Sequence, residues 1–167
     1  KELAREFEVF LRRGVPCAYV RVETFGELLR SLEFLKGPSW RRPSRIFACA
    51  WRFEGFLLGE VVRRRPQFLH AAALLFPDPL PPPLAGTSPI EGARHVLAIA
   101  GKNSPEAYRG ILMSWIRSSR KGFTNGFPDA LYWEHEQGLP ESSMKAKIFA
   151  YGYLADLLLQ QTNELAP

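Results

Sequence analysis

Cysteine is scarce in this chain, aspartate does not occur before Asp78, and no apolar run approaches the length of a membrane span. The two cysteines, Cys17 and Cys49, stand in apolar settings (VPCAYV and IFACAW), which exclude a disulfide framework and a closely spaced zinc site. They fit two buried thiols in a reducing compartment. A membrane helix needs roughly 18 or more apolar residues, and none is present; nor does a basic start lead into an apolar core and a cleavage site. The expectation is a soluble, unexported, cytoplasmic protein with no membrane partner. Because it begins at Lys1, the chain is also read as a domain excised from a larger protein. G-x-S-x-G, P-loop and G-x-G-x-x-G motifs are all missing, so neither a catalytic residue nor a cofactor is expected.

What is present suits a globular chain. With 167 residues, 46% hydrophobic and 13% aromatic, it fits one domain spanning residues 1–167. Leu3, Phe7, Phe10 and Leu11 recur at helical spacing between Lys1 and Arg13, and Gly14 ends that helix. "CAYVRV" reads as a short strand. Thr24 and Glu27 form a T-x-x-E capping box, opening a helix with Phe25, Leu28, Leu29, Leu32 and Leu35 on its buried stripe and Gly37-Pro38 at its end.

Three strands are expected next, Arg45 to Phe53, Gly55 to Arg63 and Gln67 to Phe76, with turns at Glu54-Gly55 and Arg65-Pro66 making an antiparallel meander. In the third, "HAAALL" reads equally as a helical turn. Pro77 to Pro89 is too rich in proline for regular structure and forms a surface loop. "ARHVLAIAG" returns as a strand. Ser104 and Pro105 then cap a helix carrying Tyr108, Ile111, Leu112, Trp115 and Ile116 inward, with Arg117, Arg120 and Lys121 in its last turn. Those cations also suit the helix dipole. After the connector "FTNGFPDALYWEHEQGLPE" a last helix spans about Ser143 to Gln161. The expected fold is α+β, a mostly antiparallel sheet of about four strands flanked by N-terminal and C-terminal helices.

Metal-dependent nuclease chemistry needs carboxylates gathered on one ion. Glu60, late in an apolar run, and Glu134-His135-Glu136 are the candidates, but Glu60-Val61-Val62 is not an E-x-K and three consecutive side chains do not converge. No metal site is expected. His70 and His95 read as structural residues at strand ends.

The arginines carry the functional expectation. The chain is +5 overall, and between Arg41 and Arg65 seven arginines face two acids, Glu54 and Glu60. In a meander, Arg41, Arg42 and Arg45 enter one strand while Arg63, Arg64 and Arg65 leave its antiparallel neighbour, so the two clusters meet at one end of the sheet. Arg52 lies between them, and Arg117, Arg120 and Lys121 extend the patch. Such a surface binds phosphates by charge and counterion release, with Trp40 or Phe123 stacking on exposed bases. The alternative is a protein-interaction or adaptor domain whose arginines meet an acidic partner.

The order of elements resembles the C-terminal domain of TnsE proteins, which steer bacterial cut-and-paste transposons to replicating or conjugating DNA. The likeness lies in "TFGELLRSL" before the sheet, "SPEAYRG" opening the following helix, "GFPDALY" beyond it and "HEQGLPES" before the last helix. These short matches spread over about two thirds of the chain; the proline loop has the look of an insertion, and no clamp-binding motif is found. The resemblance implies a non-enzymatic DNA-binding domain that recognises DNA structure more than sequence, beside transposition and replication proteins. It carries over no individual residue.

Overall fold

The computed structural model describes residues 7–37, 45–78, 95–101, 110, 129–135 and 140–164. Among them, helices α1 (Glu8–Leu11) and α2 (Phe25–Lys36) precede strand β1 (Phe47–Trp51). Helix α3 (Arg52–Arg64) follows without an intervening loop, then a 3-10 turn (Pro66–Phe68), β2 (Ala71–Leu75), β3 (His95–Gly101), β4 (Asp129–His135) and α4 (Pro140–Glu164).

The sheet has the order β1-β2-β3-β4 and every pairing is parallel, with Phe47 opposite Ala71, Ala71 opposite His95 and His95 opposite Asp129. The antiparallel α+β expectation is therefore wrong, and the cause is one segment. Gly55 to Arg63, read as the second strand, lies within α3. A short apolar run holding two glycines and two valines does not reveal its period, so strand and buried helix look alike in it. In the fold, Leu58, Val61 and Val62 recur at helical spacing and pack on the sheet as one face. Parallel neighbours need a crossover of a dozen or so residues, and α3 supplies it between β1 and β2.

Other boundaries shift for related reasons. β1 stops at Trp51, and only Ala71–Leu75 of the third run is strand. "CAYVRV" is not in a strand, and the connector beyond Phe123 contains β4. The helix expected after Ser104 lies outside the described residues apart from Gly110, as does the proline tract from residue 79 onward.

Helices cover the sheet on both sides. Ala72, Leu74, Val96, Ala98 and Ala100 face Leu32 of α2 and Leu58, Val61 and Val62 of α3. The alternate positions Ala71, Ala73, Leu75, Leu97 and Ile99 face Phe10 of α1 and Ala146, Ala150, Leu154 and Leu157 of α4. β2 is buried throughout, as a parallel strand between two helical layers must be. Its three alanines leave room for both layers to approach.

The capping box expected at Thr24 is formed. The Thr24 hydroxyl accepts from the Glu27 N–H at 3.2 Å, while the Glu27 carboxylate accepts from the backbone N–H groups of Glu23 at 2.8 Å and Thr24 at 3.2 Å. These bonds, that from Glu23 first, hold the Glu27 pKa below its ordinary value. A carboxylate depressed in the folded state stabilises above its unfolded pKa and loses that contribution as the pH falls through the folded value. Thermal unfolding of Glu27→Ala should accordingly show a lower Tm than the parent at neutral pH, with the gap closing below about pH 4.

Candidate functional site

Loops at the C-terminal ends of parallel strands are where α/β proteins place their chemistry. At that end of β1 the chain makes an abrupt reversal. Trp51 is extended (φ −118°, ψ 141°), Arg52 takes φ +47°, and α3 begins at once. A left-handed conformation in an arginine costs roughly 1–2 kcal/mol relative to the right-handed one, so the surroundings must enforce it. Two contacts identify how. The Asp78 N–H donates to the Arg52 carbonyl at 3.2 Å, tying the turn to the end of β2. Gly55 brings the first turn of α3 so close to the sheet that a Cβ there would sit 3.2 Å from the Ala50 carbonyl oxygen and 3.5 Å from that of Leu75. Phe76, one residue past β2, also takes φ +47°; its N–H donates to the Ile99 carbonyl at 2.8 Å and its ring meets Trp51 edge-on, with centroids 4.9 Å apart.

Arg52 is exposed, and no side chain caps the N-terminus of α3. The Arg52 residue and the first turn of α3, which has no side-chain cap, therefore stand at the same end of the sheet, beside the first-turn carboxylate Glu54. β4 ends at His135, which is in register with Gly101 at the end of β3.

The expected phosphate-binding residues separate into three groups. Arg41, Arg42, Trp40, Arg117, Arg120, Lys121 and Phe123 lie outside the described residues. Arg45, two residues ahead of β1, and Arg63, Arg64 and Arg65, at the end of α3, do come to the same end of the sheet. The means is a strand followed by a returning helix, in place of a hairpin. Arg52 lies at the opposite end.

Two of these arginines are engaged by a buried acid. Glu60 is 5% exposed, accepts from Arg63 Nε at 3.0 Å and Nη2 at 2.8 Å, and forms an ion pair with Arg64, whose Nε lies 2.8 Å from its carboxylate. The hydrogen bond to Glu60 raises the Arg63 pKa above its ordinary value. Arg64 also lies over the Phe25 ring, 5.3 Å from its centroid. Glu60 is thus committed to ion pairs, and among the described residues no cluster of three His, Cys, Asp or Glu side chains is arranged to hold a metal ion. No helix among them is long and apolar enough to cross a membrane.

In sequence Arg52 stands out by charge alone, and its place at the strand-to-helix turn is not apparent there. The signal was the spacing Ala50-Trp51-Arg52-Phe53-Glu54-Gly55, in which small residues two before and three after the arginine let strand and helix meet at a sharp turn.

No family model matches the chain, and no curated protein matches it. Among solved structures it is similar to the protein Atu2452 of unknown function from Agrobacterium tumefaciens, at 17% identity and a TM-score of 0.53. The match covers 77% of this chain and 61% of that one, so this chain spans less than two thirds of that protein's length. The likeness is one of fold.

Removing the Glu60 carboxylate leaves the partly exposed guanidinium groups of Arg63 and Arg64 without their buried partner. Glu60→Ala should lower unfolding stability by about 1–3 kcal/mol in urea titrations, whereas Glu60→Leu, which fills the space with apolar atoms, should cost less.

Proposed function

We propose that this chain is a non-hydrolytic binding domain in which Arg52 and the first turn of α3 receive an anionic group at the C-terminal end of the sheet. The carrying observation is the left-handed arginine at the strand-to-helix turn. α/β-hydrolases hold their nucleophilic serine on a strained turn of this kind, and the triad follows in the chain order nucleophile, acid, histidine. The analogy is one of architecture, and it makes the substitutions informative. Arginine stands at the nucleophile's position. After β3 the chain reads Lys102-Asn103-Ser104-Pro105, with no carboxylate until Glu106. β4 ends at His135, a residue type that such a triad uses. A guanidinium cannot act as the nucleophile, but it and free N–H donors bind carboxylate or phosphate oxygens.

Arg52→Gly separates strain from binding. Glycine adopts this φ freely, so the variant should be as stable as the parent or more stable, by up to about 1 kcal/mol. It should also lose the saturable shifts of the amide signals of residues 52–55 that acetate or sulfate produces in the parent. A fluorophosphonate serine-hydrolase probe should leave the parent unlabelled. Stoichiometric labelling, or anion binding untouched by Arg52→Gly, would overturn this reading.

A second reading, retention of DNA, is favoured by one observation: Arg45, Arg65 and the Glu60-paired Arg63 and Arg64 gather at the other end of the sheet, where Lys36 of α2 reaches the Gln67 carbonyl. No feature of the fold speaks for transposition. Three or four phosphate contacts would give log K against log salt a slope of roughly −3 for duplex DNA, and reversing Arg45 and Arg65 to Glu should abolish retention. No binding at low salt would remove this reading without touching the first.

A further inference from the structure

Helix α4 packs on the sheet through Ala146, Ala150, Leu154 and Leu157, all of them buried. On its other side Lys145, Ile148, Phe149, Gly152 and Asp156 are all exposed. Their spacing by three or four residues places them on one stripe about 100° wide along the helix. A surface helix ordinarily turns charged and polar residues outward, and the middle of this stripe departs from that pattern. Ile148 is 62% exposed and Phe149 41%.

Gly152, one turn after Ile148, is the second departure. Glycine is the poorest helix former after proline, so at an exposed mid-helix position local stability favours almost any other residue. Among the described residues, a Cβ added there would meet nothing within 4 Å, so no neighbour within the fold accounts for the glycine. An apolar pair beside a gap in the side-chain surface is a shape into which another helix fits.

Opposite charges bracket this centre, Lys145 before Ile148 and Asp156 after Gly152. Lys145 and Asp156 stand equally far from the midpoint between Ala150 and Tyr151, and so do Phe149 and Gly152. A second α4 laid antiparallel about a two-fold axis through that midpoint therefore brings Lys145 level with Asp156 of the second copy at both ends. Phe149 and Ile148 then flank its Gly152. A parallel arrangement would set lysine against lysine and aspartate against aspartate.

We propose that the chain forms a two-fold symmetric dimer through the outer face of α4, the two helices antiparallel and closest at Gly152. Such an interface is isologous and must be complementary to itself, which this stripe is. An acidic or a basic partner would satisfy one of the two charges and oppose the other, and an anionic membrane surface attracts Lys145 while repelling Asp156. Exposed ion pairs add little affinity, so the apolar contact holds the pair and the charges fix its direction. α4 has 25 residues and is roughly 37 Å long, enough for one helix–helix contact but less than a permanent interface buries, so the dimer is a reversible one. The stripe shares no residue with the Arg52 site or with the cations at the start of the strands.

Sedimentation velocity over a concentration series tests the proposal. The parent chain should show a monomer–dimer equilibrium with a Kd in the micromolar range, and Ile148→Ser should weaken it at least tenfold. Lys145→Asp and Asp156→Lys each set like charges opposite one another and should each weaken the dimer several-fold, whereas the double variant should regain the parent Kd. Gly152→Gln introduces a better helix former and should leave the monomer's Tm unchanged or higher while weakening association, which separates the contact from folding. A chain that stays monomeric into the millimolar range would overturn the proposal. A dimer indifferent to Ile148→Ser, or a double variant no tighter than the single ones, would overturn it too, because the contact would lie elsewhere or run the other way. Binding of a monomeric chain to phosphatidylserine vesicles, lost in Ile148→Ser, would assign the face to a membrane instead. None of these outcomes alters anion capture at Arg52.

Discussion

Parallel pairing of β1 with β2 is the constraint from which the rest of this structure follows. Two adjacent strands running the same way cannot be joined by a turn, so the chain must return along one face of the sheet before the second strand begins. Here the return is α3, entered without a loop. That economy goes with the sharp reversal at Arg52, leaves little room for a side chain at position 55 where helix and strand nearly touch, and delivers Arg63, Arg64 and Arg65 back to the end from which β1 started.

The two ends of the sheet consequently have different characters. At the start of the strands the cations are partly neutralised: Glu60, desolvated on the inner side of α3, holds Arg63 and Arg64. Those arginines keep a buried carboxylate satisfied, and this structural task accounts for part of the charge excess that gives the sequence its basic look. At the strand ends, Arg52 is held in a conformation that arginine does not favour, next to helix N–H groups with no side-chain cap. Strain maintained at a strand-to-helix turn is the arrangement from which an inference of function can run, because packing alone would be served better by glycine.

By itself the sequence determined the local chemistry: the Thr24–Glu27 capping box, a helix ending at Lys36, a strand within Ala93–Gly101 and a long terminal helix, each written in adjacent residues. It also marked the arginine clusters, of which Arg45 and Arg63 to Arg65 lie at one end of the sheet while Arg41 and Arg42 fall outside the described residues. The period of Gly55 to Arg63 was decided only in the tertiary structure, because an apolar run acquires its helical or extended form from what lies against it. Here that was a sheet face needing Leu58, Val61 and Val62 on one side, with Glu60 paired to Arg63 and Arg64 through a spacing only a helix provides. Once that segment became a helix the sheet had to be parallel. The direction of every described strand and the elbow at Arg52 then depended on contacts between residues far apart in the chain, which no local pattern records.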